Sequence, residues 1–224
     1  MNIESPIYEI GQRLVMCKQN CPGIAVDQRN GILPRCLILQ SEGRDRGQGS
    51  IIVGINPGPS NEIEQKYYRK EPSYSQVITY WKDRNLSKDR RPHKYYSGLT
   101  RLVDSLGFTG QILWTELVKC ENESRETRLS FRNYPKTFRI CTSLYLQKEI
   151  EVTPPDWPVI AVGGDAYSAL SFLYTDRMVI GVPHPTGSHG HFGKLFSRGK
   201  LKSTIKSQVS NIEKTGNVVW LRIS

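Results

Sequence analysis

The feature that most constrains the fold is a regular alternation of short apolar runs and amphipathic segments. Four runs have the length and the branched residues of buried strands: "SIIVGI", "GQILWTELV", "WPVIAVGG" and "RMVIGV". Segments with apolar residues at helical spacing lie between them: "YSGLTRLVDSLGF", "FRICTSLYLQKEI" and "DAYSALSFL", the last with Asp165 as its predicted N-cap. This alternation predicts an α/β fold, a three-layer αβα sandwich with a central, mostly parallel sheet of four to five strands. A last run, "NVVWLRI", fits an edge strand.

Functional loops of such a sheet lie at the carboxyl ends of its strands. Three loops directly follow predicted strands and should open on the same edge: "NPGPSN", "KCENESRETR" and "PHPTGSHGHFG". The segment 62–93 is long, polar and basic with interleaved aromatic residues, and we expect it to be a partly helical excursion over that edge.

Length and composition indicate one globular domain over residues 1–224. Charged residues make up 23% and hydrophobic residues 38%, and no apolar run approaches the ~20 residues that span a bilayer. The stretch "MNIESPIYEI" has neither the basic nor the apolar region of an export signal. We therefore expect a soluble, cytoplasmic monomer with no membrane association.

The charge is strongly basic and unevenly spread. The net charge is +10, and residues 178–212 contain no acid but carry several lysines and an arginine. A second basic cluster is "WKDRNLSKDRRPHK". Such patches are either a solvated face or a surface for a polyanion, because phosphates attract lysine and arginine without regard to sequence. Charge therefore nominates nucleic acid as a partner without deciding it.

Two short motifs and the blocks between them resemble a known family. "GINPGP" is similar to the first motif of the uracil-DNA glycosylase superfamily, particularly of its mismatch-specific and single-strand-selective branches, and "VPHPTGS" resembles its second motif. The blocks "ILWTELVKC", "FRICTSLYLQKEIE" and "VIAVGGDAYSAL" follow in the order found in the iron-sulfur branch, which the chain resembles over about residues 10 to 195. The resemblance implies an enzyme that hydrolyses an N-glycosidic bond in DNA.

The chain has five cysteines, which in the absence of an export signal are either scattered core residues or metal ligands. The resemblance implies a 4Fe-4S cluster, since thiolates are the ligands of such clusters. Its ligands would be Cys17, Cys21, Cys120 and Cys141. The first pair is spaced C-x3-C rather than the usual C-x2-C, and Cys36 could replace one ligand. A zinc site and unligated thiols are the alternatives.

The resemblance also assigns the catalytic residues. Asn56 matches the position that orients the attacking water, and His184 matches the position whose neutral imidazole donates to a carbonyl oxygen of the departing base. A loop histidine that caps a turn is the alternative for His184. The residues expected beside the flipped base are Gly54, Ile55, Pro57, Gly58 and Thr186.

An aromatic face for the flipped base and a loop for the DNA backbone complete the expected site. In the family that the chain resembles, the stacking aromatic residue follows an Arg-Pro pair. Counting back from the helix after "RRPHK" then selects Tyr95, with Tyr96 next, although either could be an ordinary packed tyrosine. The predicted DNA-contacting residues are Ser188, His189, His191, Lys194 and Arg198, with Phe192 as a wedge.

Glu116 is the departure that bears most on the substrate. The iron-sulfur branch has asparagine here, which accepts from N3–H of uracil and donates to O4, whereas an ionised carboxylate only accepts. A carboxylate suits cytosine-type bases, whose C4 amino group and hydroxylated substituents are donors. A raised pKa would leave Glu116 protonated and restore the pairing with uracil, and a turn toward a lysine would remove it from the site.

These observations predict a monofunctional DNA glycosylase for a non-standard pyrimidine, with a modified cytosine favoured over uracil, acting in base-excision repair or in defence against phage. The alternative is a non-catalytic iron-sulfur module of the same fold that binds nucleic acid or senses damage. An unrelated α/β hydrolase is disfavoured, because the sequence has no nucleophile elbow or matched triad.

Overall fold

The structure is a computed structural model that describes residues 2–87, 91–186, 189–197, 201, 203–212 and 216–221. The helices of these residues are α1 (Glu4–Val15), α2 (Glu62–Lys70), α3 (Tyr74–Asn85), α4 (Lys94–Leu106), α5 (Pro135–Cys141), α6 (Gln147–Glu151), α7 (Gly164–Leu173), α8 (His191–Lys194) and α9 (Ser203–Ser210). The strands are β1 (Ile24–Ala25), β2 (Ile38–Gln40), β3 (Ser50–Gly54), β4 (Ile112–Glu116), β5 (Glu121–Asn122), β6 (Val159–Val162), β7 (Val179–Val182) and β8 (Val218–Trp220). A π-helical turn, Thr142–Leu146, joins α5 to α6.

The main sheet has six strands in the order β2-β4-β3-β6-β7-β8 and is flanked by helices. All neighbouring strands are parallel except β2, which runs antiparallel to β4. The predicted α/β class and the mostly parallel sheet are confirmed, and "NVVWLRI" contributes the edge strand β8. The predicted strand number of four to five is too low, because the sheet also includes β2.

The core lies on both faces of the four central strands. Every residue of β3, β4, β6 and β7 is buried, as expected for parallel strands covered by helices on both sides. One predicted detail, the N-cap of α7, is corrected by the structure. The N-cap of α7 is Gly163, at φ 90°, so Asp165 lies one residue inside the first turn, where its charge still favours the helix dipole.

The chain reverses direction across the sheet next to β3. It passes from β3 to β4 on one side and then crosses back to β6 on the other side. The crevice above the carboxyl ends of two strands that diverge in this way is the usual ligand site of an open α/β sheet. Here that crevice lies between the segment after Gly54 and the segment after Val162. Among the described residues, no helix has the length and apolar character to span a membrane.

Candidate active site

A cavity of about 850 Å³ opens at the carboxyl edge of the sheet. All ten residues that the sequence nominated for catalysis or base binding line it: Gly54, Ile55, Asn56, Pro57, Gly58, Tyr95, Tyr96, Glu116, His184 and Thr186. They come from four separate parts of the chain, and the sheet brings them together because the strands that precede the loops are parallel.

The three predicted loops and the predicted excursion all contribute to the cavity wall. Asn56 follows β3, Arg125 belongs to the loop after β4, and His184 follows β7. The excursion consists of α2 and α3, and it contributes Tyr68 and Tyr80 among others. The expectation that this segment is partly helical and lies over the carboxyl edge of the sheet is therefore confirmed.

Asn56 is held by its side-chain nitrogen. Its Nδ2 donates to Oδ1 of Asn122 at 2.9 Å, to the Pro57 carbonyl at 3.0 Å and, at 3.4 Å, to the Cys120 carbonyl. No hydrogen bond described for Asn56 uses Oδ1. The carbonyl oxygen of the Asn56 side chain is thus available to accept a hydrogen from water or substrate in the cavity.

A buried ion-pair network fixes the bend that carries Asn56. The Arg35 guanidinium donates to the Gly58 carbonyl at 2.6 Å and to Glu121 Oε2 at 2.8 Å. The same carboxylate oxygen accepts from the Ser60 backbone N–H at 2.6 Å, and Glu64 lies 3.1 Å from Arg35 Nε. Buried charges are tolerated where each is paired and hydrogen-bonded, so this network holds the Asn56–Ser60 loop in one conformation.

His184 is held in one tautomer. The Thr186 backbone N–H donates to Nδ1 of His184 at 3.3 Å, and the Thr186 hydroxyl is 3.2 Å from the same nitrogen. With Nδ1 accepting, the proton of a neutral imidazole resides on Nε2. Burial lowers the pKa of His184 below its ordinary value of 6.5, so the ring is neutral near pH 7 and can donate from Nε2.

The two nominated tyrosines occupy different positions. Tyr95, in the first turn of α4, has its ring centroid 5.4 Å from that of His184. Tyr96 packs edge-on against Trp81 at 5.3 Å and against Trp114 at 5.0 Å, which anchors it to the core. Tyr95 is thus the tyrosine next to His184, whereas Tyr96 forms part of the cavity wall.

Glu116 lies at the end of β4, directly beside Gly54 at the end of β3. It is 8% exposed, and its Oε2 is buried without a hydrogen-bond partner among the described residues. A Cβ at Gly54 would overlap this carboxyl and would also crowd the Tyr95 hydroxyl, so glycine is required there for Glu116 to face the cavity. Burial raises the pKa of Glu116 from 4.5 to about 8, although Lys119 and a hydrogen bond with the Gly54 backbone lower it.

The alternative in which Glu116 turns away to pair with a lysine is wrong. Lys119, three residues past the end of β4, is fully buried and donates to Glu149 Oε2 at 2.7 Å. Thr115, which precedes Glu116, donates to the same oxygen at 2.6 Å. The lysine near Glu116 thus has another partner, and the Glu116 carboxyl remains in the cavity wall.

Comparison with protein families gives one match. The model of the uracil DNA glycosylase superfamily matches residues 41–205, which is most of the chain. The protein belongs to the uracil DNA glycosylase superfamily. No curated protein and no solved structure gave a significant match. Members of this superfamily are DNA glycosylases, which are hydrolases, so DNA glycosylase activity and DNA as the substrate follow from the family.

The second-motif loop of this glycosylase is described in part. His189, His191 and Lys194 are exposed, and His189 has a left-handed backbone at φ 47°. Ser188 and Arg198, which were also predicted to contact DNA, lie outside the described residues. All three exposed residues are available to a DNA backbone.

The prediction of Phe192 as a wedge needs correction. Its side chain is 6% exposed, packs 5.7 Å from the ring of Phe196 and lies against the position where a Cβ of Gly98 would be. A residue that enters a base stack must be exposed at the surface, whereas Phe192 fixes α8 against α4.

Four of the five cysteines form one group in this glycosylase: Cys17, Cys21, Cys120 and Cys141. Burial raises the pKa of Cys120, and the other three thiols raise it further because their charges would repel. No three His, Cys, Asp or Glu side chains of the described residues have the spacing of a single-ion site. Thiolates are the ligands of iron-sulfur clusters, so the donor set of these four residues fits such a cluster.

Cys36 lies apart from that group. It lines the cavity, burial raises its pKa, and the charged groups that act on it are led by Glu116 and Arg35 rather than by another cysteine. Its backbone is left-handed, at φ 68°, which directs the chain from the Arg35 network into β2. The structure therefore gives no support to Cys36 as a replacement ligand.

Several cavity residues escaped sequence reasoning. Arg35 and Asn122 contact the Asn56 loop, while Arg125 and Arg128 are exposed at the cavity margin. For Asn122, Arg125 and Arg128, the only available signal was that the segment "KCENESRETR" follows a predicted strand. Arg35 precedes β2, a strand that was itself missed, so no motif marked it.

Proposed function

We propose that the protein is a monofunctional DNA glycosylase that hydrolyses the N-glycosidic bond of a flipped-out, non-standard pyrimidine and leaves an abasic site. A modified cytosine is the favoured base and uracil is the next, and the role is base-excision repair or defence against phage DNA. The observation that carries the proposal is the convergence of Asn56, His184, Tyr95 and Glu116 on one cavity at the carboxyl edge of the sheet.

The bond-breaking step needs a positioned water and a donor to the departing base. Asn56 is no base near neutral pH, but its free Oδ1 can accept a hydrogen from water and aim the water oxygen at C1′. His184 supplies a donor from Nε2, which stabilises negative charge on a carbonyl oxygen of the base as the bond to the sugar breaks. The water attacks the sugar after charge has developed, and its proton passes to solvent.

The described lining of the cavity supports a hydrolytic rather than a lyase outcome. A bifunctional glycosylase, which also has lyase activity, uses an amine that forms a Schiff base with the sugar. Among the described residues that line the cavity there is no lysine, and Lys119, the nearest to Glu116 in sequence, is occupied by Glu149. Water is then the nucleophile, and an abasic site is the product.

The burial of Glu116 in the cavity wall supports a role in reading the Watson–Crick edge of the base. Because its pKa is about 8, the protonated form dominates near pH 7 and offers one donor and one acceptor. A neutral carboxyl can pair with N3 and the amino group of a cytosine, or with N3–H and O4 of uracil. An ionised carboxylate only accepts: at position 4 it would accept from the amino group of a cytosine but would repel O4 of uracil, so a higher pH favours cytosine-type bases over uracil.

The size of the cavity supports a substituted base. Its volume of about 850 Å³ is near the upper end of the range for drug-sized ligands, which is roughly 300–1,000 Å³. An unmodified pyrimidine ring would leave much of this space unfilled. Residues of α2 and α3, including Glu64, Tyr80 and Arg84, add polar groups to the wall that hydroxyl groups of a substituent could engage.

The grouped cysteines support a 4Fe-4S cluster held by Cys17, Cys21, Cys120 and Cys141. When bound, the cluster would supply a structural link rather than chemistry on the DNA. Two of its ligands precede the matched range 41–205, so it would tie the N-terminal segment to the loop and helix beside the cavity.

Glycosylase assays on oligonucleotides that each contain one test base decide between the readings. We expect release of a modified cytosine at a higher rate than uracil, and a loss on the order of 100-fold in Asn56→Ala. Uracil release that disappears in Asn56→Ala but is unchanged in Glu116→Gln, without release of modified cytosine, would contradict the substrate assignment. Salt-dependent DNA binding without any abasic product would indicate the non-catalytic module instead.

A further inference from the structure

We propose that Asn122 is a positioning residue that fixes the direction of the Asn56 side-chain amide. This inference rests on the proposed function, in which the Asn56 oxygen must face the water. Asn122 lies at the end of β5, two residues after Cys120, and its Oδ1 accepts from Asn56 Nδ2 at 2.9 Å.

The direction of both amides is set by backbone carbonyls. Asn122 Nδ2 donates to the Thr127 carbonyl at 2.7 Å, and because a carbonyl only accepts, Asn122 must turn its oxygen the other way, toward Asn56. Asn56 Nδ2 then meets three acceptors, Asn122 Oδ1 and the carbonyls of Pro57 and Cys120. A reversed Asn56 amide would bring its oxygen against all three.

The direction of the Asn56 side-chain amide determines whether it assists or hinders attack by the water. In the observed direction Asn56 Oδ1 accepts a hydrogen and leaves a water lone pair free for C1′. In the reversed direction the amide nitrogen would donate to the water oxygen and occupy that lone pair. Asn122 therefore acts on the rate of the chemical step through Asn56, not on the affinity for DNA.

The neighbouring residue supports the same loop by a different contact. The Glu121 carboxylate accepts from the Ser60 backbone N–H, and the Cys120 carbonyl accepts from Asn56. Three consecutive residues of the segment 120–122 thus hold the Asn56–Ser60 loop. Asn122 alone among them contacts Asn56 with a side chain, which makes its contribution separable by mutation.

The test uses two replacements and a matched control. Asn122→Leu keeps the branched shape and removes both hydrogen-bonding groups, whereas Asn122→Asp keeps an acceptor for Asn56. Asn133→Leu is the control, because Asn133 is exposed in the same connecting region and its side chain reaches only the Arg128 carbonyl, at 3.5 Å. Circular dichroism and thermal melting establish that each variant is folded.

The first measurement is solvent exchange of the Asn56 side-chain amide by NMR, with the resonance assigned from its loss in Asn56→Ala. We expect exchange about 5- to 10-fold faster in Asn122→Leu and little change in Asn122→Asp, as one lost hydrogen bond allows. Unchanged exchange in Asn122→Leu overturns the proposal even if the wild type proves to have no glycosylase activity, so the failure of the two proposals can be told apart.

The second measurement is the single-turnover rate of base release, with DNA affinity measured on a 2′-fluorinated analogue that resists hydrolysis. Asn122→Leu should lower the rate by roughly 10- to 100-fold at unchanged affinity, and Asn122→Asp should restore most of it. In the Asn56→Ala background, Asn122→Leu should cost nothing further. An equal loss in both backgrounds would mean that Asn122 acts on the substrate or the fold, and would overturn the proposal.

Discussion

Replacing Glu116 by glutamine should stabilise the protein increasingly as pH rises from about 4.5 to about 8. The folded protein holds the proton of this buried carboxyl up to about pH 8, whereas the unfolded chain releases it near 4.5. Between those values the unfolded state binds fewer protons, so the free energy of unfolding of the wild type falls as pH rises. The glutamine variant cannot ionise at this position, so its free energy of unfolding does not fall with pH for this reason.

The size of the effect follows from the shift in pKa. A pKa difference of one is worth about 1.4 kcal/mol, and pH 7 lies about 2.5 above the pKa of this group in the unfolded chain, which gives about 3.5 kcal/mol. For a chain of this size that corresponds to roughly 7–14 °C in melting temperature. Near pH 4 both states of the wild type are protonated, and the difference should shrink to the constant offset between a carboxylic acid and an amide.

Chemical denaturation of both proteins from about pH 4 to about pH 9 measures this dependence. Glu149→Gln is the matched control, because it removes a second buried glutamate that is paired with Lys119. That variant should be destabilised by about 3–5 kcal/mol, since a buried cation loses its partner. A stability difference between Glu116→Gln and wild type that stays constant with pH would refute the assignment of Glu116 as a buried, unpaired acid.

Three further predictions test other parts of the site. The proposed cluster predicts that purified protein contains iron and is brown, that Cys17→Ser loses both properties and that Cys36→Ser keeps both, as measured by metal analysis and visible absorbance; equal loss in both variants would contradict the grouping of the thiols. Arg128→Gln should reduce the slope of log affinity for DNA against log salt by about one, if the exposed guanidinium meets a phosphate. The His184 imidazole should titrate below 6.5 in an NMR experiment, because burial disfavours its charged form, and a value above 6.5 would remove the neutral donor.

The sequence was sufficient for the parts of the fold that depend on apolar pattern. β3, β4, β6 and β7 are continuous buried runs, and the parallel sheet then determines that the loops after three of them meet at one edge. β2 was missed because it has only three residues, one of them partly exposed, and lies among turn-forming residues. Its pairing with β4 depends on tertiary contacts that no local pattern encodes.

The residues of the candidate site likewise fall into those that a sequence pattern marks and those that only tertiary contacts bring into the site. Asn56 and His184 were nominated because each lies in a short motif that resembles a motif of the family. Asn122 resembles any polar loop residue until β5 brings it within hydrogen-bond distance of a side chain 66 positions earlier. Phe192 was misassigned because it lies in the loop that was expected to enter the duplex, whereas its burial depends on the close approach that Gly98 permits in α4.

The central claim is that this cavity hydrolyses the bond between a non-standard pyrimidine and DNA. Mass spectrometry of the bases released from uracil-containing DNA and from naturally modified phage DNAs tests it without a prior choice of substrate. We expect a free modified cytosine to appear with wild-type protein, faster than uracil, and to be absent with Asn56→Ala. Release of no base from any of these DNAs, by folded protein that still binds them, would contradict the claim.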